Sequence, residues 1–182
     1  FNNELFLFYF LPVLMILYYI PGNRFRNFLL MAAGLIFYGY GERKFIFILT
    51  VSMLINYLLG IMIEKMSAKK QKKIWLTAGI IFNTGILFGF KYLNFSFEIL
   101  NDLFDDRFPV TDIALPLGIS FYTFQVISYL VDIYRKDCPA EKNVVNAFLY
   151  FSFFPQLIAG PILRYKNLAK EIRLRHESAE LF

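Results

Sequence analysis

Residues able to do chemistry gather in two places in this sequence. The first is the stretch 153–164, Phe-Phe-Pro-Gln-Leu-Ile-Ala-Gly-Pro-Ile-Leu-Arg, which follows a long apolar run. Pro155 and Pro161 each remove a backbone donor and clash with the preceding turn, so a straight helix cannot run through them. At membrane depth, backbone freed in this way is tolerated only against protein or along a wet cavity. Gln156, Gly160 and Arg164 add an amide, a point of close approach and a cation. The stretch therefore predicts a bent, buried element beside a polar space, with Pro155, Gly160 and Pro161 shaping the bend and Gln156 facing the space. The second place is a stripe over Tyr122, Gln125, Tyr129 and Asp132, spaced 3, 4 and 3 apart on one helical face, with Ser128 beside it. Polar side chains at such depth face a bundle interior, a partner or water. Two readings stay open for this stripe: the border of a substrate path, or hydrogen bonding between helices. Asp132 sits near the helix end, where pairing with Arg135 is expected.

The elements that must hold these residues follow from composition. Apolar residues make up 58%, charged residues 18% and aromatic residues 20%, with 23 Phe and 12 Tyr. Several apolar runs approach the roughly 20 residues that cross a hydrocarbon core. The fold class expected is all-α, a polytopic transmembrane helical bundle, with residues 1–182 forming one domain or a portion of one. Segments are read over 5–20, 28–40, 45–63, 74–95 and 115–134. A re-entrant segment over 144–163 and an interfacial tail over 164–182 follow. Segment one has Glu4 rather than basic residues before it and no small-residue cleavage site after it, so a retained helix is favoured over a signal peptide.

Basic residues concentrate in the loops after segments one, three and five, which hold Arg24, Arg26, Lys65, Lys69, Lys70, Lys72, Lys73, Arg135, Lys136 and Lys142. The positive-inside rule then puts those loops in the cytoplasm and the N-terminus outside. A full sixth crossing would carry the basic tail outside, and a re-entrant sixth segment avoids that. In the tail, Tyr165, Leu168 and Ile172 share one helical face while Lys166, Lys170 and Arg173 share another. That pattern fits a helix at the membrane interface, its cations toward anionic lipid or an anionic ligand. The net charge of +5 lies in short loops between apolar runs and does not indicate nucleic-acid binding.

Other features read as structural. Ser52, Asn56, Gly60 and Glu64 share a face of segment three, and Gly85 and Gly89 form a G-x-x-x-G pattern that predicts close helix packing. Cys138 reads as a plain thiol in a loop. His176, the one histidine, lies in a charged surface context and lacks the pocket a catalytic base requires. No metal-ligand spacing, phosphate loop or nucleophile elbow is present.

Leu115 to Gln125, then Tyr129 to Arg135, then the stretch 153–164 resemble the membrane-bound O-acyltransferase family, and the likeness extends over essentially the whole chain. It is greatest to the bacterial branch that acetylates exported polysaccharides; a branch that transfers D-alanyl groups to a wall polymer is a near cousin. The resemblance implies a helix bundle around a tunnel in a bacterial plasma membrane. A cytoplasmic thioester donor, acetyl-CoA or an acyl carrier protein, would supply the acyl group. A polysaccharide hydroxyl would accept it, directly or through an extracytoplasmic transferase partner. It also implies a longer protein, with this chain as its N-terminal part and the family's essential histidine beyond position 182. No catalytic residue is then expected here, and the segment alone is not expected to be active. Tyr122, Gln125 and Gln156 are the expected tunnel lining, and Arg164 would meet a donor or lipid phosphate. A secondary transporter, which would require an inverted repeat not seen here, and a non-catalytic scaffold subunit are the alternatives.

Overall fold

The computed structural model describes residues 4, 6–19, 23–104, 115–153, 155 and 164–173. Among these the protein is all-α. α1 (Leu11–Tyr19) follows a π-helical turn over Phe6–Phe10. Pro12 supplies a reason for the wide turn, because it has no N–H for the carbonyl four residues earlier. α2 (Asn23–Gly41), α3 (Ile46–Lys65) and α4 (Lys69–Lys91) come next. α5 (Leu93–Phe104) and α6 (Ile119–Arg135) follow, then α7 (Val144–Ser152) and α8 (Tyr165–Arg173). α3 and α4 are long and apolar enough to cross a membrane, with mean hydropathies of 2.3 and 1.4 over their best windows. Most of α4's apolar surface faces outward: Ile81 is 66% exposed.

Several boundaries differ from the sequence expectation, each for a local reason. α2 starts directly at Asn23, so Arg24 and Arg26 stand in its first turns rather than in a loop. Lys69, Lys70, Lys72 and Lys73 likewise open α4, leaving a connection of three residues behind α3. The fourth segment does not run on smoothly past Tyr92. The Ser96 hydroxyl donates to the Tyr92 carbonyl at 2.8 Å, a bond known to bend helices, and α5 begins there. α6 begins only at Ile119, because Pro116 and Gly118 form a turn in which Gly118 takes φ 76°. That left-handed conformation is one glycine adopts without steric penalty. α6 ends on Lys136 at φ 65°, with the Asp137 N–H donating back to the Asp132 carbonyl at 2.9 Å.

α3, α4 and α6 pack on one another, α7 lies against α2 and α3, and α8 seats on α6. The core runs through Met53, Ile63, Val126, Leu130 and Phe151, all fully or almost fully buried. Small residues set how closely the helices approach. A Cβ on Gly34 of α2 would lie 2.3 Å from the Ser152 carbonyl oxygen of α7. A Cβ on Gly60 of α3 would lie 2.9 Å from the Tyr129 ring, and one on Gly79 of α4 would lie 2.6 Å from Leu130. Gly85 and Gly89 do not behave this way. Among the described residues nothing comes within 4 Å of a Cβ at either, so the expected close packing falls on Gly79 instead.

The bundle is antiparallel enough to bring the lysine-rich connections to one end. There Tyr57 donates to the Lys142 carbonyl at 2.7 Å, and the Ala140 N–H donates to Glu64 at 3.2 Å. At the opposite end the Leu117 N–H donates to Glu42 at 3.3 Å.

Candidate functional site

The polar stripe of α6 is buried throughout: Tyr122, Gln125, Tyr129 and Asp132 are each 3% exposed or less. Three of the four meet partners on other elements. The Tyr122 hydroxyl donates to Ser52 Oγ of α3 at 3.0 Å. Gln125 Nε2 donates to the Tyr150 carbonyl of α7 at 2.7 Å. Tyr129 accepts from the Glu141 N–H at 3.0 Å. The helical spacing read from sequence therefore places all four on an interior face, and their contacts include bonds between helices. Beside Tyr122 and Ser52 lies a narrow, mainly apolar cleft, walled by Tyr38, Phe45, Leu49 and Phe90.

Asp132 is the exception. Its Oδ2 is buried and accepts no hydrogen bond among the described residues. The expected pairing with Arg135 does not form. Arg135 points outward, 63% exposed at its side chain, and lies 3.8 Å from Asp137 instead. The two residues are three apart at a helix end, yet only Asp132 is turned into the bundle. A buried carboxylate oxygen without a donor gains nothing from its charge. Asp132→Asn is accordingly expected to leave stability within about 0.5 kcal/mol of the parent protein or to raise it. Thermal unfolding of the purified full-length protein checks this, and a loss above about 2 kcal/mol would contradict it.

Below the stripe, at the lysine-rich end, the chain builds a polar knot around Glu141. This residue is 3% exposed, although the sequence places it in a polar loop. Its Oε1 accepts from the Lys142 and Asn143 N–H groups at 2.9 and 3.0 Å, just before α7. Its Oε2 accepts from the Tyr165 hydroxyl at the start of α8. Asn143 adds an N-cap, its Oδ1 accepting from the Val145 N–H at 2.9 Å. The rings of Tyr129, Tyr150 and Tyr165 meet edge-on or tilted, with centroids 5.1–6.1 Å apart. Cys138 is buried in the same core cluster as Tyr129 and Tyr150. The signal missed in sequence was an acid two residues before a helix N-cap, where exposed N–H groups and the helix dipole both favour negative charge.

α3 and α4 share a second buried polar contact. Asn83 Nδ2 donates to Asn56 Oδ1 at 2.7 Å, and Asn56 Nδ2 donates to Asn83 Oδ1 at 3.0 Å. The Ser52, Asn56, Gly60 and Glu64 face thus packs as read, each member meeting α4, α6 or the loop before α7.

Of the remaining residues singled out, Pro155 is half-buried and Arg164 is exposed, its carbonyl accepting from the Asn167 N–H at 3.0 Å as α8 begins. Gln156, Gly160, Pro161 and His176 lie outside the described residues. In α8, Tyr165 is fully buried, and Leu168, Ala169 and Ile172 pack on the core. The apolar face read for this helix therefore seats on the bundle. Asn27 of α2 secures it, donating to the Ile172 carbonyl at 2.9 Å and to Asn146 of α7 at 2.8 Å. No group of His, Cys, Asp and Glu among the described residues is arranged to hold a metal ion.

The chain is 38% identical over its whole length to the probable alginate O-acetylase AlgI of Pseudomonas aeruginosa and to that of Azotobacter vinelandii. It is 32% identical, over 95% of its length, to the peptidoglycan O-acetyltransferase of Helicobacter pylori. It spans 36% to 38% of the length of these relatives. No family model matches the chain, and no solved structure matches it. By its likeness to these relatives from end to end, the chain belongs to the membrane-bound O-acyltransferase family, in the branch that holds the alginate O-acetylases.

Proposed function

We propose that the protein carrying this chain moves an acetyl group from a cytoplasmic thioester donor to the hydroxyl of an exported or cell-surface glycan. The observation that carries this reading is the 38% identity to alginate O-acetylases across the full chain. The peptidoglycan O-acetyltransferase, at 32%, has a different acceptor polymer in its name and shares acetyl transfer to oxygen. A glycan hydroxyl is therefore the common denominator. The acceptor oxygen attacks the thioester carbonyl, the C–S bond breaks, and the thiol leaves with the proton. By the family resemblance the base is a histidine outside this sequence. The donor would be acetyl-CoA or an acyl carrier protein, and transfer would be direct or relayed through an extracytoplasmic partner.

Within this scheme the chain supplies wall and supports. Tyr122, Gln125 and Gln156 would line the acyl path, Pro155, Gly160 and Pro161 would bend the element beside it, and Arg164 would meet a phosphate. The protein would sit in the bacterial plasma membrane with its N-terminus outside and the lysine-rich end in the cytoplasm. In support of that arrangement, the first turns of α2, the end of α3 and the loop between α6 and α7 lie at one end of the bundle.

The test is the ester content of cell-envelope glycans from cells that make the full-length protein, cells that lack it, and cells in which it is restored. O-acetyl groups are expected to vanish on deletion and return on restoration. Unchanged acetylation in the deletion strain would overturn the reading.

A further inference from the structure

The proline-rich stretch 153–164 joins α7 to α8, and one carboxylate ties the residue after it, Tyr165, to the loop that enters α7. Glu141 Oε1 accepts from two N–H groups at the threshold of α7, while Oε2 accepts from Tyr165, the residue that follows the stretch. Its own N–H donates to Tyr129 of α6. We propose that Glu141 is a positioning residue that fixes the start of α8, where the stretch 153–164 ends, against α6 and the loop that enters α7.

α7 runs nine residues from that loop to Ser152, where the stretch begins. Its far end is fixed independently. Gln125 binds the Tyr150 carbonyl, and Gly34 brings α2 against the Ser152 carbonyl. At the other flank Tyr165 is fully buried between Tyr129 and Tyr150. Removing the Glu141 carboxylate leaves the Tyr165 hydroxyl and two N–H groups without that acceptor in a buried setting, where such groups are expensive to leave unmet. The freedom gained would fall on the registration of α8 against α6 and α7. Misplacement by about 1 Å far from the chemistry can lower turnover on the order of 100-fold. The effect on turnover rests on the proposed acyl transfer; the effect on α8 does not.

The experiment uses the full-length protein with three substitutions. Glu141→Ala removes the acceptor, Glu141→Gln keeps one acceptor oxygen, and Tyr165→Phe keeps the ring but not the donor. Two readouts are taken: steady-state acetyl transfer from labelled acetyl donor, and alkylation of Cys138, followed by peptide mass. Cys138 is a native reporter, 8% exposed in the same knot. Glu141→Ala and Tyr165→Phe are expected to lower kcat about 10- to 100-fold with the KM for the donor little changed. Glu141→Gln should recover most of the rate. Cys138 should alkylate faster in Glu141→Ala, and detectably so in Tyr165→Phe. Folded Tyr165→Phe protein with parental kcat and parental alkylation would overturn the proposal, as would equal losses in Glu141→Gln and Glu141→Ala. If the parent protein transfers no acetyl group, the functional reading fails, while the alkylation series still decides whether Glu141 registers α8.

Discussion

Gly34→Val is expected to yield little or no folded protein, the largest effect of any single substitution in this bundle. A Cβ there would lie 2.3 Å from the Ser152 carbonyl oxygen and 3.2 Å from both its carbon and its Oγ. Backbone cannot rotate away as a side-chain tip can, so α2 and α7 would have to part. Inserting bulk into a packed contact typically costs about 1–3 kcal/mol, and a backbone clash belongs at or beyond the upper end. The damage would not stay local. α7 also carries the carbonyl that receives Gln125, and it follows directly on the loop held by Glu141. Gly41→Ala, in the same helix with nothing within 4 Å of its Cβ, is the matched control and should fold normally. Monodispersity on gel filtration and the melting temperature of the purified full-length protein distinguish the two.

Asn56→Leu is expected to be the next most damaging change. Asn56 and Asn83 are 0% and 1% exposed, and each amide donates to the other as well as to a carbonyl one turn back. Replacing one partner strands the other amide in an apolar interior, at about 1–3 kcal/mol. Interhelical hydrogen bonds within membranes measure lower on average, roughly 0.6 kcal/mol with a maximum near 1.7, so about 1–2 kcal/mol is expected here. Asn56→Leu combined with Asn83→Leu should restore part of that loss, because no polar group is then left unmet. Melting temperatures of the two single variants and the double variant measure this coupling. A strictly additive double variant would contradict it.

The interior faces were legible in the sequence because helical spacing is unambiguous in long apolar runs. Tyr122, Gln125, Tyr129 and Asp132 share a buried face as their spacing requires, and so do Ser52, Asn56 and Gly60, with Glu64 half-buried at the end of theirs. Their partners were not legible, because pairing depends on how helices are set against one another. Gly85 and Gly89 match a packing pattern, yet it is Gly79, on another face of α4, that receives Leu130. Asp132 and Arg135 are adjacent by turn, but the helix end sends one inward and the other to solvent. Glu141 was hidden for a different reason. A charged residue in a short polar loop looks solvated until a later helix, here α8, folds over it. Asn83 carried a signal that went unused: one amide inside an apolar run requires a partner across a helix interface.

In the proposed reaction an acyl group crosses from a cytoplasmic thioester to a glycan on the far side of the membrane, along a path this bundle would help to enclose. Sealed right-side-out vesicles containing the full-length protein test it directly, with labelled acetyl donor placed either inside or outside and acceptor glycan outside. Labelled ester on the glycan is expected only when the donor is inside, and only in vesicles that contain the protein. Label that reaches the glycan from donor supplied outside alone, or equally without the protein, would rule out transfer across the membrane by this protein.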